Sequence, residues 1–236
     1  MRMLPTLAIV LIGTLVTGCK SFDASAVGDF FGAGALSNDT IVQGLKEALQ
    51  NGTDRSVAQL SKAGGYADDA SLRIVLPEKL QKFASTLRKV GLSGELDAFE
   101  DKMNEAAEHA VTQAGPVFLD AITSMSFDDA RKILSGKKTA ATQFFKRKTK
   151  KRLAALYQPT VQSHMSQVGA VQSYNELRAS YDKIPFAPKL EFSLEDYVTD
   201  QALDGLFLAL GAVEKDIRTN PAARVTDLLQ RVFVQQ

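Results

Sequence analysis

From about residue 40 onward the apolar positions recur at three- and four-residue steps, the period of a helix with one buried face. Ile41, Leu45, Ala48 and Leu49 share one side of a first helix that opens at Asp39–Thr40. Asn51-Gly52 predicts a break, after which Thr53 or Asp54 caps a second piece through Val57 and Leu60, ended by Gly64-Gly65. Leu72 to Leu76 is a short apolar extended run. No second strand-like segment offers it a partner, so it reads as a connector. Pro77 suits the first turn of the next helix, whose stripe is Leu80, Phe83, Ala84, Leu87 and Val90 and which Gly91 stops.

Ser93 to Met125 is expected to be the longest helix. Leu96, Phe99, Met103, Ala106, Ala110, Ala114, Val117 and Ala121 follow the helical step, and Pro116 kinks or divides it near Gly115. Ser126-Phe127-Asp128-Asp129 has the form of a capping box and starts a helix that Gly136 closes. Thr139 to Val168 reads as another long helix, kinked at Pro159, with Thr142, Phe145, Thr149, Leu153 and Leu156 on one side. A further helix carries Tyr174, Leu177 and Tyr181, and Pro185 and Pro188 mark a loop. Ser193-Leu194-Glu195-Asp196 is a second capping box. It opens Tyr197–Arg218, which is apolar nearly all round from Ala202 to Val213 except at Asp204, and is therefore expected at the centre of the bundle. Asn220-Pro221 starts a last helix ending near Val232–Phe233. Without strand–helix alternation or internal repeats, the predicted class is an all-α multi-helix bundle.

The amino-terminal pattern is of another kind. Arg2 precedes an apolar run from Leu4 that includes Leu7 to Ile12, Leu15 and Val16, followed by the small residues Thr17-Gly18 and then Cys19, the only cysteine. That is the layout of a secretory signal peptide, too short and too early to span a membrane. Val16-Thr17-Gly18-Cys19 resembles the lipobox of bacterial lipoproteins. The resemblance implies cleavage before Cys19, a diacylglyceryl group on its sulfur and an acyl chain on its amine, and more than one chain makes attachment stable. Ala24-Ser25-Ala26 also satisfies the small-x-small rule and leaves an ordinary secreted protein as the alternative. Lys20 follows the cysteine, with no Asp to suggest inner-membrane retention, so the resemblance to bacterial lipoproteins implies a location at the outer membrane, facing the periplasm. The expected organisation is a signal peptide over 1–18, a tether over 19–36 rich in Gly, Ala, Ser and Asp, and one helical domain over 37–236.

Removing 18 of the 236 residues takes away one base and leaves 27 Lys+Arg against 27 Asp+Glu. Zero net charge argues against a general nucleic-acid binder. An acylated Cys19 leaves no thiol, so no disulfide, thiol catalysis or cysteine-ligated metal is available, and stability must come from a buried core.

Several stretches together resemble one family, bacterial lipoproteins defined by a domain of unknown function: Gly64-Gly65-Tyr66, Arg73-Ile74 with Leu76-Pro77, Met103 to Glu108, Met125 to Gly136, Ala140-Ala141-Thr142, Tyr197-Val198-Thr199, Ala202 to Phe207, and Ile217-Arg218 to Phe233. The resemblance implies an exported, helical, lipid-anchored protein. It brings no activity, substrate or catalytic residue.

Candidate chemistry is sparse. The only histidines are His109 and His164. Glu105 and His109 lie four apart, but the second Glu-x-x-His pair of a helical di-iron site is missing, and His109 falls off the apolar face. No Gly-x-Ser-x-Gly turn is present, and Asp128/Asp129 and Glu195/Asp196 are explained by helix capping. Neither a cofactor nor a catalytic or metal site is expected. Lys146, Arg147, Lys148, Lys150, Lys151 and Arg152, with Lys137 and Lys138, form a dense basic block. It reads either as a solvated helix face or as a contact with anionic lipid headgroups. Asp204 and Asn104 interrupt apolar faces. A buried Asp204 would need a partner, for which Arg73, Arg218 and Arg224 are the candidates, either as an internal pair fixing helix register or as a polar contact inside a ligand pocket. The function expected is a non-catalytic binding module of the cell envelope, held to the membrane by acylated Cys19, with a protein or lipid partner. The alternatives are a carrier of a small apolar ligand held between helices near Asp204, and an enzyme of unknown type.

Overall fold

Ser37 caps the first described helix: its hydroxyl accepts from the Thr40 N–H at 3.1 Å and starts α1, Asn38–Leu60. The structure, a computed structural model, describes residues 37–185 and 192–224 together with Thr226 and Gln230. The signal segment, the tether, Cys19, Pro188 and most of the expected last helix lie outside the described residues. The chain continues through α2 (Gln81–Lys89, after a 3-10 turn Glu78–Leu80), α3 (Ser93–Ala110), α4 (Ala114–Thr123), α5 (Phe127–Leu134), α6 (Ala140–Gln167), α7 (Ala170–Asp182) and α8 (Leu194–Thr219). No strand occurs among the described residues, and the class is all-α, a multi-helix bundle.

The centre lies where α8 packs against α6, α1 and α3. Phe118 of α4 sits 5.1 Å from the Phe145 ring and 6.2 Å from Phe207, joining α4, α6 and α8. A second aromatic group joins α2, α3 and α7 through Phe83–Tyr181 at 5.1 Å and Phe99–Tyr174 at 5.8 Å. Gly205 lets Tyr66 lie against α8. A Cβ there would come within 2.6 Å of the Tyr66 ring, whose hydroxyl donates to the Ala202 carbonyl at 2.7 Å.

Several expectations are corrected. Asn51-Gly52 does not break α1, which runs unbroken across it. Thr53 and Ser56 bend their hydroxyls back onto the Leu49 and Gly52 carbonyls at 2.8 Å, so residues that look like caps serve the helix interior. Gly52 is buried against Val213 and Ile217 of α8. A Cβ there would stand 3.5 Å from Val213, an ordinary contact. Gly52→Ala is therefore expected to stabilise the fold by about 0.5–1 kcal/mol in urea unfolding, the usual gain from removing a helix-interior glycine.

The helix expected over Ser93–Met125 is divided at a 3-10 turn, Val111–Gln113, and the longest described helix is α6. The division falls one turn before Pro116 because a proline ring removes the hydrogen bond to, and crowds, the carbonyl four residues earlier, here Thr112. Pro159 lies inside α6. Leu156 and Val90, placed on core stripes by spacing, are exposed, and Tyr157 takes the buried place beside Leu153. The Ser193 box has one leg: its hydroxyl accepts from Asp196 N–H, while Asp196 Oδ1 accepts from Gln158 of α6 at 2.7 Å. Asn220-Pro221 starts a 3-10 turn, Pro221–Ala223.

The Ser126 box is complete. Ser126 Oγ accepts from Asp129 N–H at 3.1 Å, and Asp129 Oδ2 accepts from Ser126 Oγ–H at 2.8 Å and from its N–H at 3.3 Å. The Ser126 hydrogen bonds, with Lys148 and Lys132 nearby, hold the Asp129 carboxyl below the ordinary range. A lowered folded-state pKa means that the bond stabilises above the unfolded value near 3.9 and is lost as pH falls through the folded one. Ser126→Ala is thus expected to cost about 1 kcal/mol at neutral pH. The gap from wild type narrows in urea titrations carried below about pH 4.

Candidate functional site

Three polar groupings stand out in this apolar frame. The first is a ladder on α3. Glu100, Asn104 and Glu108 are buried and four residues apart, so they share one line along the helix. They face the segment from Tyr66 to Leu76, which runs extended over Arg73–Pro77 without a neighbouring strand. Asn104 Oδ1 accepts from Ile74 N–H at 2.8 Å, and its Nδ2 donates to the Ile74 carbonyl at 2.9 Å and the Glu100 carbonyl at 2.7 Å. Glu100 accepts from Leu76 N–H and Glu108 from Tyr66 N–H, both at 3.1 Å. The Tyr197 hydroxyl of α8 donates to the Val75 carbonyl. Leu72, Ile74 and Leu76 alternate into the core, so the segment buries apolar side chains as a strand does while side chains replace the missing ladder. Asn104 is where the sequence placed a buried polar group. Glu100 and Glu108 were missed, although their four-residue spacing about Asn104 was the available signal.

The second grouping joins three helices. Glu214 of α8 accepts from the Ala141 and Thr142 N–H groups at 3.0 and 2.8 Å and from the Thr142 hydroxyl at 2.8 Å. It thereby satisfies the amino end of α6. Arg218, one turn on, pairs with Glu214 at 3.0 Å and donates to the Ile133 carbonyl at 2.8 Å at the carboxyl end of α5. Both side chains are 9% exposed. An anion at the positive end of one helix dipole and a cation at the negative end of another are each favourable, and here one i,i+4 pair supplies both. Arg218 was a predicted site residue, but as a partner of Asp204. Its partner is Glu214, which sequence reasoning passed over.

Asp204 itself is not buried. Its side chain is 50% exposed and meets Lys146 at 3.2 Å and Lys150 at 3.8 Å. With Leu208, 51% exposed, it marks a solvent-facing stripe on α8, so the helix is not apolar all round. Arg73 pairs with Asp101 at 2.8 Å and donates to the Ala67 carbonyl. Arg224 is buried and donates to the Ile217 and Arg218 carbonyls at 3.1 Å, closing the end of α8. Asp204 and the three arginines expected to pair with it therefore belong to four separate contacts.

The third grouping is the basic face of α6. Lys146 and Lys150 are held by Asp204, Arg152 meets Asp120 at 2.7 Å, and Lys148 lies over the Phe144 ring. Arg147 and Lys151 point to solvent without an ion-pair partner among the described residues.

The two histidines, 55 positions apart in the chain, stack at 4.5 Å and 14° between α3 and α6. Glu105 Oε1 lies 3.4 Å from His164 Nε2, without hydrogen-bond geometry. Among the described residues no group of three or more His, Cys, Asp and Glu is arranged to hold a metal ion. Tyr157, Tyr174 and Thr199 also bury hydroxyls that lack a hydrogen-bond partner among the described residues. Burial pushes the Tyr157, Tyr174, Tyr197 and Tyr66 hydroxyls up, the last with a contribution from Glu108, while Ser71 hydrogen bonds lower Asp69. Each of these shifts moves its group further from neutrality, the opposite of a poised acid or base.

The apolar crevice lined by Leu45, Leu49, Phe145, Leu210, Ile217 and Glu214 encloses about 20 Å3, room for one water. A pocket that buries a drug-sized apolar ligand has about 300 Å3 or more. No described helix is long and apolar enough to cross a membrane.

The described residues form an all-α bundle whose buried charged and amide side chains hold its own backbone. Residues 35–234 match the family described as Protein of unknown function (DUF4197), and the chain belongs to that family. Comparison with curated proteins and with solved structures finds no match.

Proposed function

We propose that the chain is a lipid-anchored, periplasm-facing module of the cell envelope, tethered through acylated Cys19 at the outer membrane, that binds an envelope component without catalysing a reaction. The observation that carries the reading is how the buried polar side chains are used. Glu100, Asn104, Glu108, Glu214, Arg218 and Arg224 all bond to backbone or to each other. None converges on a cleft with a shifted acid or base, and the crevice between α1, α6 and α8 is too small for an apolar cargo. A helical body that folds around its own polar groups needs only a tether and an outer face to act as an interaction module.

The test has two parts. Labelled palmitate should enter the wild-type protein and not Cys19→Ser, and equal absence of label from both contradicts the anchor. Affinity capture of the lipidated protein from membranes should retain a specific envelope protein or lipid. Recovery of a stoichiometric small apolar molecule inside the fold instead contradicts the module.

A further inference from the structure

We infer that the groove between α5 and the first two turns of α6 is a binding site for a phosphate group, formed by Lys132, Lys137 and Arg147 with Gln143 and Thr139. The inference deepens the proposed envelope role but stands on its own residues.

Pairing divides the basic block in two. Lys146, Lys150 and Arg152 have carboxylates within 4 Å. Lys132, Lys137 and Arg147 have no ion-pair partner among the described residues, and all three line one groove of about 280 Å3 beside the α5–α6 turn. They come from three different places, the end of α5, the turn, and the second turn of α6, so their convergence is a product of the fold rather than of a charge run. Gln143 and Thr139 add an amide and a hydroxyl, both able to donate to phosphate oxygens. The one carboxylate lining the groove is Asp129, whose Oδ2 accepts from Ser126 in the cap, so the groove sets three positive charges against one negative. The amino end of α6 is not the anion site, since Glu214 already accepts from its Ala141 and Thr142 amides. Three unpaired cations with neutral donors between them suit a phosphate mono- or diester better than a carboxylate, because more oxygens are offered to more donors.

The source of that phosphate is either a lipid headgroup or a soluble phosphate, and two arms separate them. Full-length protein is titrated calorimetrically with inorganic phosphate, and its binding to phosphatidylcholine vesicles with and without phosphatidic acid is measured by flotation. Lys132→Gln/Lys137→Gln/Arg147→Gln is compared with Lys62→Gln/Lys82→Gln/Lys89→Gln, exposed bases elsewhere whose loss changes the net charge equally. The groove variant should lose about tenfold or more in affinity while the control stays near wild type. Loss in the vesicle arm alone assigns a headgroup, and loss in the titration alone assigns a soluble phosphate. No binding in either arm, or equal loss in both variants, overturns the site. If the triple variant unfolds, Arg147→Gln against Lys89→Gln is read in the same way. Palmitate labelling is unaffected by these substitutions, so failure of the groove and failure of the anchor are separable.

Discussion

Arg218→Ala is expected to destabilise the fold by about 3–5 kcal/mol, the loss typical of removing one partner from a buried ion pair. Urea unfolding should show the midpoint falling with an unchanged slope. The effect is large because two helix ends depend on the same guanidinium. Its removal leaves the Glu214 carboxylate buried without its cation and the Ile133 carbonyl without its side-chain donor. Many buried pairs can be exchanged for apolar residues of the same volume with little loss, because both charges disappear together. That exchange fails here. A Glu214→Leu/Arg218→Met double variant removes both charges but leaves the Ala141 and Thr142 amides without their acceptor, so it should remain well below wild type.

Asn104→Leu is expected to cost about 2–4 kcal/mol. Leucine keeps the volume but makes none of the three bonds of the amide, so the Ile74 N–H and carbonyl lose their partners in the core. Each orphaned buried group costs about 1–3 kcal/mol. The sum is capped because the connector can peel outward to water, releasing Leu72, Ile74 and Leu76. Limited proteolysis should therefore open the chain near Ser71–Val75 in the variant before the wild type is cut there.

The helical class was legible because the apolar stripes are long and regular, as at Phe83, Ala84 and Leu87 in α2 and at Tyr174, Leu177 and Tyr181 in α7. Two errors share one cause: local chemistry was read without its tertiary partner. Asn51-Gly52 has the composition of a stop, but Gly52 is the contact point of two helices, and packing against Val213 and Ile217 carries the helix through it. Asp204 interrupts an apolar run, but the run is wide enough to leave a narrow outer stripe, and its partners Lys146 and Lys150, which lie on α6, cannot be predicted from α8 alone. Asn104 was legible as a polar residue bordering an apolar arc. What it bonds to was not, since a connector 30 positions earlier carries no periodic mark that names its partner. Glu214 was hidden for the same reason, because an acid near Lys215 and Arg218 on one helix looks like ordinary surface charge.

Amide hydrogen exchange tests most directly whether the buried polar side chains act as backbone partners. The Tyr66, Ile74, Leu76, Ala141 and Thr142 amides lie outside the interior of any helix ladder yet donate to Glu108, Asn104, Glu100 and Glu214. They should exchange as slowly as core helical amides in the wild-type protein, with protection at Ile74 lost selectively in Asn104→Leu. Exchange of Ile74 and Leu76 at the rate of an exposed loop would mean that the ladder on α3 is free to serve some other ligand.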